Sequence, residues 1–171
     1  MVFVLARALV YSTFFVGFLL VFLPARVLAR SGIVQPPAIG AIQVAGIAVA
    51  VVGSALAAWC ILTFAFVGRG TPAPMDPPRR LVIAGPYRYV RNPMYLGAAV
   101  ALCGAAVFYG SLALIGYAAL FLLAMHGFAV LYEEPTLVGL FGEEYQAYRR
   151  AVRRWLPRSS PVTRSGDLQW R

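Results

Sequence analysis

The sequence predicts an all-α integral membrane protein. It should be a helical bundle of about four transmembrane helices, with the third and fourth forming a hairpin and an interfacial amphipathic helix after them. Three observations predict this. Hydrophobic residues make up 61% of the 171 residues, and the mean hydropathy is +0.75. Charged residues are only 12%, about half the ~25% usual in soluble domains. The apolar residues fall in four long runs, without the apolar-polar alternation of a membrane barrel. Such a composition excludes a soluble globular enzyme, a disordered chain and a nucleic-acid-binding domain.

The first run, residues 2–23, is interrupted only by Arg7 and fits the ~17–25 residues of a spanning helix. It exceeds the ~7–15-residue core of a secretion signal, and no clear small-residue cleavage site follows, so it reads as a retained helix. The second run, 38–67, contains no charge and is long enough to tilt or to project into the interface. A stretch rich in Gly and Pro, 68–78, then reads as an irregular loop. The third run, 94–108, is short, as for a helix that begins inside the membrane or crosses obliquely. Only Tyr109-Gly110-Ser111 separates it from the fourth, 112–131, so these two should form an antiparallel hairpin.

Beyond the hairpin, a helix over about 143–155 is expected. Phe141, Tyr145, Tyr148, Val152 and Trp155 make one apolar-aromatic stripe, and Arg149, Arg150, Arg153 and Arg154 occupy much of the remaining face. That pattern suits a helix lying on anionic lipid, with Tyr145 or Tyr148 also serving as a lid over a pocket. Residues 159–171 read as a loose tail. Cys60 and Cys103 lie inside apolar runs, read as packing residues, and lack the spacing of a metal site.

The formal charge of +9 comes from Arg alone; there is no Lys. With four crossings, Arg7, the five Arg between the second and third runs, and the seven after the fourth share one side. Arg26 and Arg30 occupy the other. Positive-inside bias therefore puts both termini in the cytoplasm.

Two segments hold most of the polar residues that are not loop filler. One is 85–97, containing Tyr87, Arg88, Arg91, Asn92, Pro93 and Tyr95. The other runs from Glu133-Glu134-Pro135 to Tyr148. The hairpin brings the start of the third helix and the end of the fourth to one cytosolic level. Tyr87, Arg88, Arg91, Asn92 and Tyr95 should then lie near Glu133 and Glu134. Arg and acidic groups beside aromatic rings suit a zwitterionic ligand; the blander alternative is an interface loop with a structural Arg–Glu pair. Pro135 should disfavour helical geometry at Glu134 and turn the chain there. His126, the single histidine, lies seven residues before Glu133, close to two turns, so the two should share a face. It reads either as a functional intramembrane group or as a neutral side chain hydrogen-bonded between helices.

In order, these segments give Gly85, Tyr87, Arg91, Pro93, Tyr95 and Gly97; then Glu133, Glu134 and Leu137; then Phe141, Gly142, Tyr145, Tyr148 and a final Pro157. This order over roughly 81–157 resembles the isoprenylcysteine carboxyl methyltransferase family, which belongs with the phospholipid N-methyltransferases of membranes. The resemblance implies one membrane methyltransferase domain over 1–158, its motif-bearing core at 81–157. It also implies S-adenosylmethionine as cofactor, with S-adenosylhomocysteine as product, in a pocket at the cytosolic end of the bundle. A lipophilic acceptor would enter from the bilayer; neither metal nor nucleic acid is implied.

By this resemblance Glu133 and Glu134 meet the amino group or ribose of the cofactor. Gly85, Tyr87, Asn92, Pro93, Tyr95, Tyr145 and Tyr148 complete its site. Arg91, with Asn92, is the catalytic candidate, holding a substrate carboxylate or phosphate or the cofactor carboxylate. The family often has Arg-His-Pro where this chain has Arg91-Asn92-Pro93; Asn cannot titrate near neutral pH, so no proton acceptor stands there. The methyl acceptor stays open among carboxylate, amine and thiol. The alternative from another class is a non-catalytic four-helix membrane protein that binds anionic lipid through its Arg-rich tail. Such a protein has no use for the Glu133/Glu134 pair.

The Arg asymmetry generates a direct test. Reporter fusions at Arg171 should report the cytosol, and those within 26–35 the opposite side. A tail outside the cytosol would overturn the orientation.

Overall fold

The computed structural model describes residues 10, 13, 15–33, 35–68 and 80–163, and the regular structure among them is helical. A π turn, Gly17–Phe22, runs into α1 (Leu23–Arg30). α2 (Ala41–Thr63) ends in a second π turn, Phe64–Gly68. A 3-10 turn, Gly85–Arg88, precedes α3 (Pro93–Tyr109). α4 (Leu112–Phe128) passes through a third π turn, Ala129–Glu133, into α5 (Glu134–Ala151). The expectations for Arg7 and most of the first run's start, for the loop 69–79 with Arg69 and Arg79, and for 164–171 lie outside the described residues.

Two helical stretches are long and apolar enough to cross a membrane, Ala41–Gly68 and Leu112–Ala151; α3 is a shorter apolar helix. The second stretch has 40 residues, about twice what a bilayer needs. Its apolar part ends at Leu131, so Glu133 and all that follows lie outside the apolar run. α2 leaves Ile42, Ile47, Val51, Val52 and Leu62 exposed, and the π turn after it leaves Phe66 exposed. A helix that is apolar all round yet largely uncovered suits lipid, not the core of a soluble domain.

α2 and α3 run antiparallel in backbone contact. A Cβ added at Gly53 would lie 2.6 Å from Gly97 O, and one at Gly46 would lie 2.6 Å from Phe108 N. A Cβ at Gly97 would lie 2.8 Å from Ala57 N, and one at Gly104 would lie 2.7 Å from Gly46 O. The glycines are seven apart in each helix, which keeps them on one seam and lets van der Waals contact hold the pair where lipid offers no hydrophobic drive. The third small residue of that register, Cys60, is fully buried.

The α3–α4 hairpin forms as its three-residue separator implies. Gly110 takes the left-handed conformation (φ 59°) that closes α3, and Ser111 Oγ accepts from Leu114 N at 3.3 Å to cap α4. Leu19 and Leu20 pack against Ala98, Ala99, Leu102, Ala118 and Phe121. Tyr117 Oη donates to Leu19 O (2.7 Å), a carbonyl in the first π turn.

Three local expectations are corrected. Pro135 does not turn the chain: Glu134 is helical (φ −64°, ψ −44°), and the helix continues through the π turn just before it. Proline cannot donate to the carbonyl four residues back and clashes with it, and the wider turn at Leu131 relieves both problems. The same device precedes Pro24. The terminal helix ends at Ala151, not Trp155, and Gly142 (φ 48°, ψ −123°) kinks it. Its aromatic stripe faces protein rather than lipid: Tyr145, Tyr148 and Val152 are buried with Leu81, Ala147 and Val162.

Past Ala151 the chain runs back along the segment before α3. Arg91 N donates to Arg153 O (3.0 Å), Asn92 N to Arg154 O (3.3 Å), Arg158 N to Tyr89 O (2.9 Å) and Val162 N to Arg88 O (3.0 Å). Residues 152–163 thus form a strap, and 159–163, expected to begin a loose tail, belong to it.

The glycine seam yields a paired stability test. Gly53→Ala or Gly97→Ala forces two backbones apart and should lower stability in detergent by about 1–3 kcal/mol or more. Gly116→Ala on α4 meets open space and should be neutral or stabilising by up to about 1 kcal/mol. Equal melting temperatures for Gly53→Ala and the parent would contradict the close contact.

Candidate active site

At the polar end of the hairpin, the π turn after α2, the segment 81–92, the start of α3 and the stretch from Glu133 into α5 enclose a cleft with about 570 Å³ of empty space, its open mouth included. Tyr87, Arg91, Asn92, Tyr95, Glu133, Tyr145 and Tyr148 give the lining its polar groups; Phe64, Leu81, Val82, Met94 and Leu137 give it apolar surface.

Local geometry places each polar group. The 3-10 turn Gly85–Arg88 buries Tyr87, whose carbonyl accepts from Tyr148 Oη at 2.7 Å. Its ring packs with Cys60 and Val82 in one buried cluster. Burial pushes the Tyr87 hydroxyl well above its ordinary pKa, with nearby Cys60, Tyr148, Tyr95 and Glu133 adding to the shift. Pro93 opens α3 without needing a donor of its own, which puts Asn92 at the cap and Tyr95 in the first turn. Tyr95 Oη donates to Glu133 Oε1 at 2.7 Å. Burial raises the Glu133 pKa; the Tyr95 bond opposes the rise, and the Glu134 charge adds to it.

Glu134 faces a different set of partners. Its Oε1 accepts from Arg91 Nη1 (3.0 Å) and Arg154 Nε (2.7 Å), and its Oε2 accepts from Arg154 Nη2 (3.0 Å). Arg149 Nη2 lies 3.5 Å from Oε2. Burial alone would raise this carboxyl, but the Arg154 hydrogen bond and the charges of Arg91, Arg154 and Arg149 outweigh it and hold the pKa below the ordinary value. The Arg91 charge also lies close enough to Tyr145 to oppose the rise that burial gives its hydroxyl pKa. Two buried donors on residues that line the cleft have no partner: Arg91 Nε and Asn92 Nδ2. Leaving a buried donor unpaired costs free energy, so each of these donors favours any acceptor that reaches it.

The structure thus brings Tyr87, Arg91, Asn92, Tyr95, Glu133, Tyr145 and Tyr148 into one lining. Gly85, Pro93 and Glu134 stand outside it. Gly85 sits against Trp59 and Thr63, Pro93 is buried behind the cleft, and Glu134 is enclosed by arginines. Arg88 does not join the carboxylates; its Nε donates to Val162 O (2.9 Å). His126 is exposed and outside the lining, so it does not share the face of Glu133: the π turn between them breaks the two-turn register. Its Nδ1 accepts from Trp155 Nε1 at 3.0 Å, a bond to the strap rather than between membrane helices. Among the described residues no group of three His, Cys, Asp or Glu side chains could hold a metal ion.

Sequence reasoning missed the apolar lining and Arg154. Nothing in the sequence separates Phe64 or Met94 from other apolar residues. The signal for Arg154 is the charge imbalance itself. With 15 Arg and 6 acidic residues, a buried carboxylate should gather more than one guanidinium.

A comparison with curated proteins and with solved structures finds no match. A family model described as phospholipid methyltransferase matches residues 41–144. The match begins at the first residue of α2, well before the expected motif core at 81, and ends just before Tyr145. It takes in Arg91, Asn92, Tyr95, Glu133 and Glu134, and the family's activity is methyl transfer to lipid substrates. Covering more than half of the chain, it shows that this protein belongs to the phospholipid methyltransferase family.

Proposed function

We propose that the chain transfers a methyl group from S-adenosylmethionine to a lipophilic acceptor that reaches the cleft from the bilayer, both termini being cytoplasmic. One observation carries this reading: a single lining holds the Glu133 carboxylate together with the unpartnered donors Arg91 Nε and Asn92 Nδ2. Such a surface is complementary to a zwitterion, and the amino-acid end of this cofactor is one. The residues present fit the group.

Bound there, the cofactor supplies a methyl group on a cationic sulfur, whose transfer asks for alignment and a dry site rather than for a base or a covalent enzyme intermediate. In this reading Glu133, held by Tyr95, takes the amino group. Arg91 and Asn92 take the carboxylate. Tyr87, Tyr145 and Tyr148 wall the site, and Phe64, Leu81, Val82, Met94 and Leu137 keep water out and receive the apolar body of the acceptor. Gly85, Pro93 and Glu134 act behind the lining.

A protein that merely binds anionic lipid through its tail fits less well. Arg149 and Arg154 turn inward to Glu134, and Arg158 Nη1 donates to Ala151 O (2.8 Å). A passive lipid binder also has no use for Glu133 in the lining.

The test is transfer of labelled methyl from S-adenosylmethionine into membrane lipid. Losing a charge-assisted hydrogen bond costs about 1.5–3 kcal/mol. Glu133→Gln should therefore raise the KM for cofactor about ten- to a hundredfold. Arg91→Lys keeps the charge but not the planar fork and should lose activity to a similar degree. Arg80→Lys, at an exposed position, should match the parent. Arg91→Lys with parental kcat/KM for cofactor would remove Arg91 from the site.

A further inference from the structure

Arg154 lies ten residues past the end of the family match and does not line the cleft. Even so, it is tied to the cleft twice. Its guanidinium forks onto Glu134, Nε to Oε1 at 2.7 Å and Nη2 to Oε2 at 3.0 Å. A planar guanidinium makes that pairing and an ammonium cannot. Its main chain accepts from Asn92 N, while the neighbouring Arg153 accepts from Arg91 N. One two-residue stretch of the strap therefore holds the backbone of Arg91 and Asn92 and, through Glu134, the side chain of Arg91.

The fork has a consequence for Arg91. With both Glu134 oxygens engaged by Arg154, Arg91 reaches the carboxylate through Nη1 alone (3.0 Å), and its Nε stays without a partner. Carboxylate and guanidinium prefer to pair through two parallel hydrogen bonds. A Glu134 freed from Arg154 can swing to take Arg91 in that way and occupy its Nε.

We propose that Arg154 is a positioning residue: it holds Glu134 in a fork and thereby keeps Arg91 Nε free for an anionic group in the cleft. This rests on the reading above, in which Arg91 receives the cofactor carboxylate.

Binding of S-adenosylhomocysteine to the full chain in detergent, together with the ligand-free NMR signal of the Arg91 Nε–H, tests it. That signal is the one lost in Arg91→Lys. Arg154→Ala should weaken binding about tenfold or more. Arg154→Lys, which keeps the charge and spares the fold if the alanine variant does not fold, should weaken it nearly as much and shift the Arg91 signal. In an Arg91→Lys background, Arg154→Lys should add less than about a twofold further loss, because the effect passes through Arg91. Parental binding by Arg154→Lys, an unmoved signal, or losses that multiply in the double variant would each overturn the proposal. A parent that binds no S-adenosylhomocysteine overturns the cofactor reading instead, and the signal shift then decides alone whether Arg154 positions Arg91.

Discussion

Glu134 brings one negative charge into a wall shared by three guanidinium groups, and the shape of the polar end of the hairpin depends on that contact. The side chains of Glu134 and Arg91 are 9% and 10% exposed. At such depth, removing Glu134 leaves the Arg91 charge uncompensated, at a cost of about 3–5 kcal/mol. The contact joins three parts of the chain that are far apart in sequence: the segment before α3, the start of α5 and the strap after it. Glu133, one residue earlier, is thereby turned the other way, toward Tyr95 and the cleft. Two adjacent carboxylates thus acquire different environments and pKa values shifted in opposite directions.

The bilayer explains much of the remaining construction. Because lipid gives no hydrophobic reward for bringing helices together, α2 and α3 are held by backbone approach at Gly46, Gly53, Gly97 and Gly104. Prolines are admitted at Pro24 and Pro135 because a π turn precedes each, absorbing the missing hydrogen bond and the steric clash. The turn before Pro135 also sets the rotation of Glu133 and Glu134 relative to α4. A local backbone irregularity thus determines which carboxylate faces the cleft.

Much of this was legible in the sequence where a physical constraint left little choice. A separator as short as Tyr109-Gly110-Ser111 forces an antiparallel hairpin, and that alone places Arg91 and Tyr95 beside Glu133 and Glu134. The apolar run 38–67 gave α2 within a few residues. The illegible parts depend on contacts between distant segments or on an altered helical repeat. Pro135 reads as a turn unless the π turn is known, and the same turn spoils the seven-residue register from His126 to Glu133. The aromatic stripe of Tyr145, Tyr148 and Val152 has the period of a lipid-facing helix; only Leu81 and Val162, brought from both sides, show that protein covers it. Arg154 looks like one more charge on a basic face until its fork on Glu134 is seen.

The central claim is that the cleft at Arg91, Asn92 and Glu133 is a site for S-adenosylmethionine. Calorimetric titration of the folded, detergent-solubilised protein with S-adenosylhomocysteine tests it most directly. The account predicts saturable binding at one site per chain, competed by S-adenosylmethionine. Absence of any binding heat from well-folded protein at about millimolar ligand, where even a ~4 kcal/mol interaction would register, would contradict it.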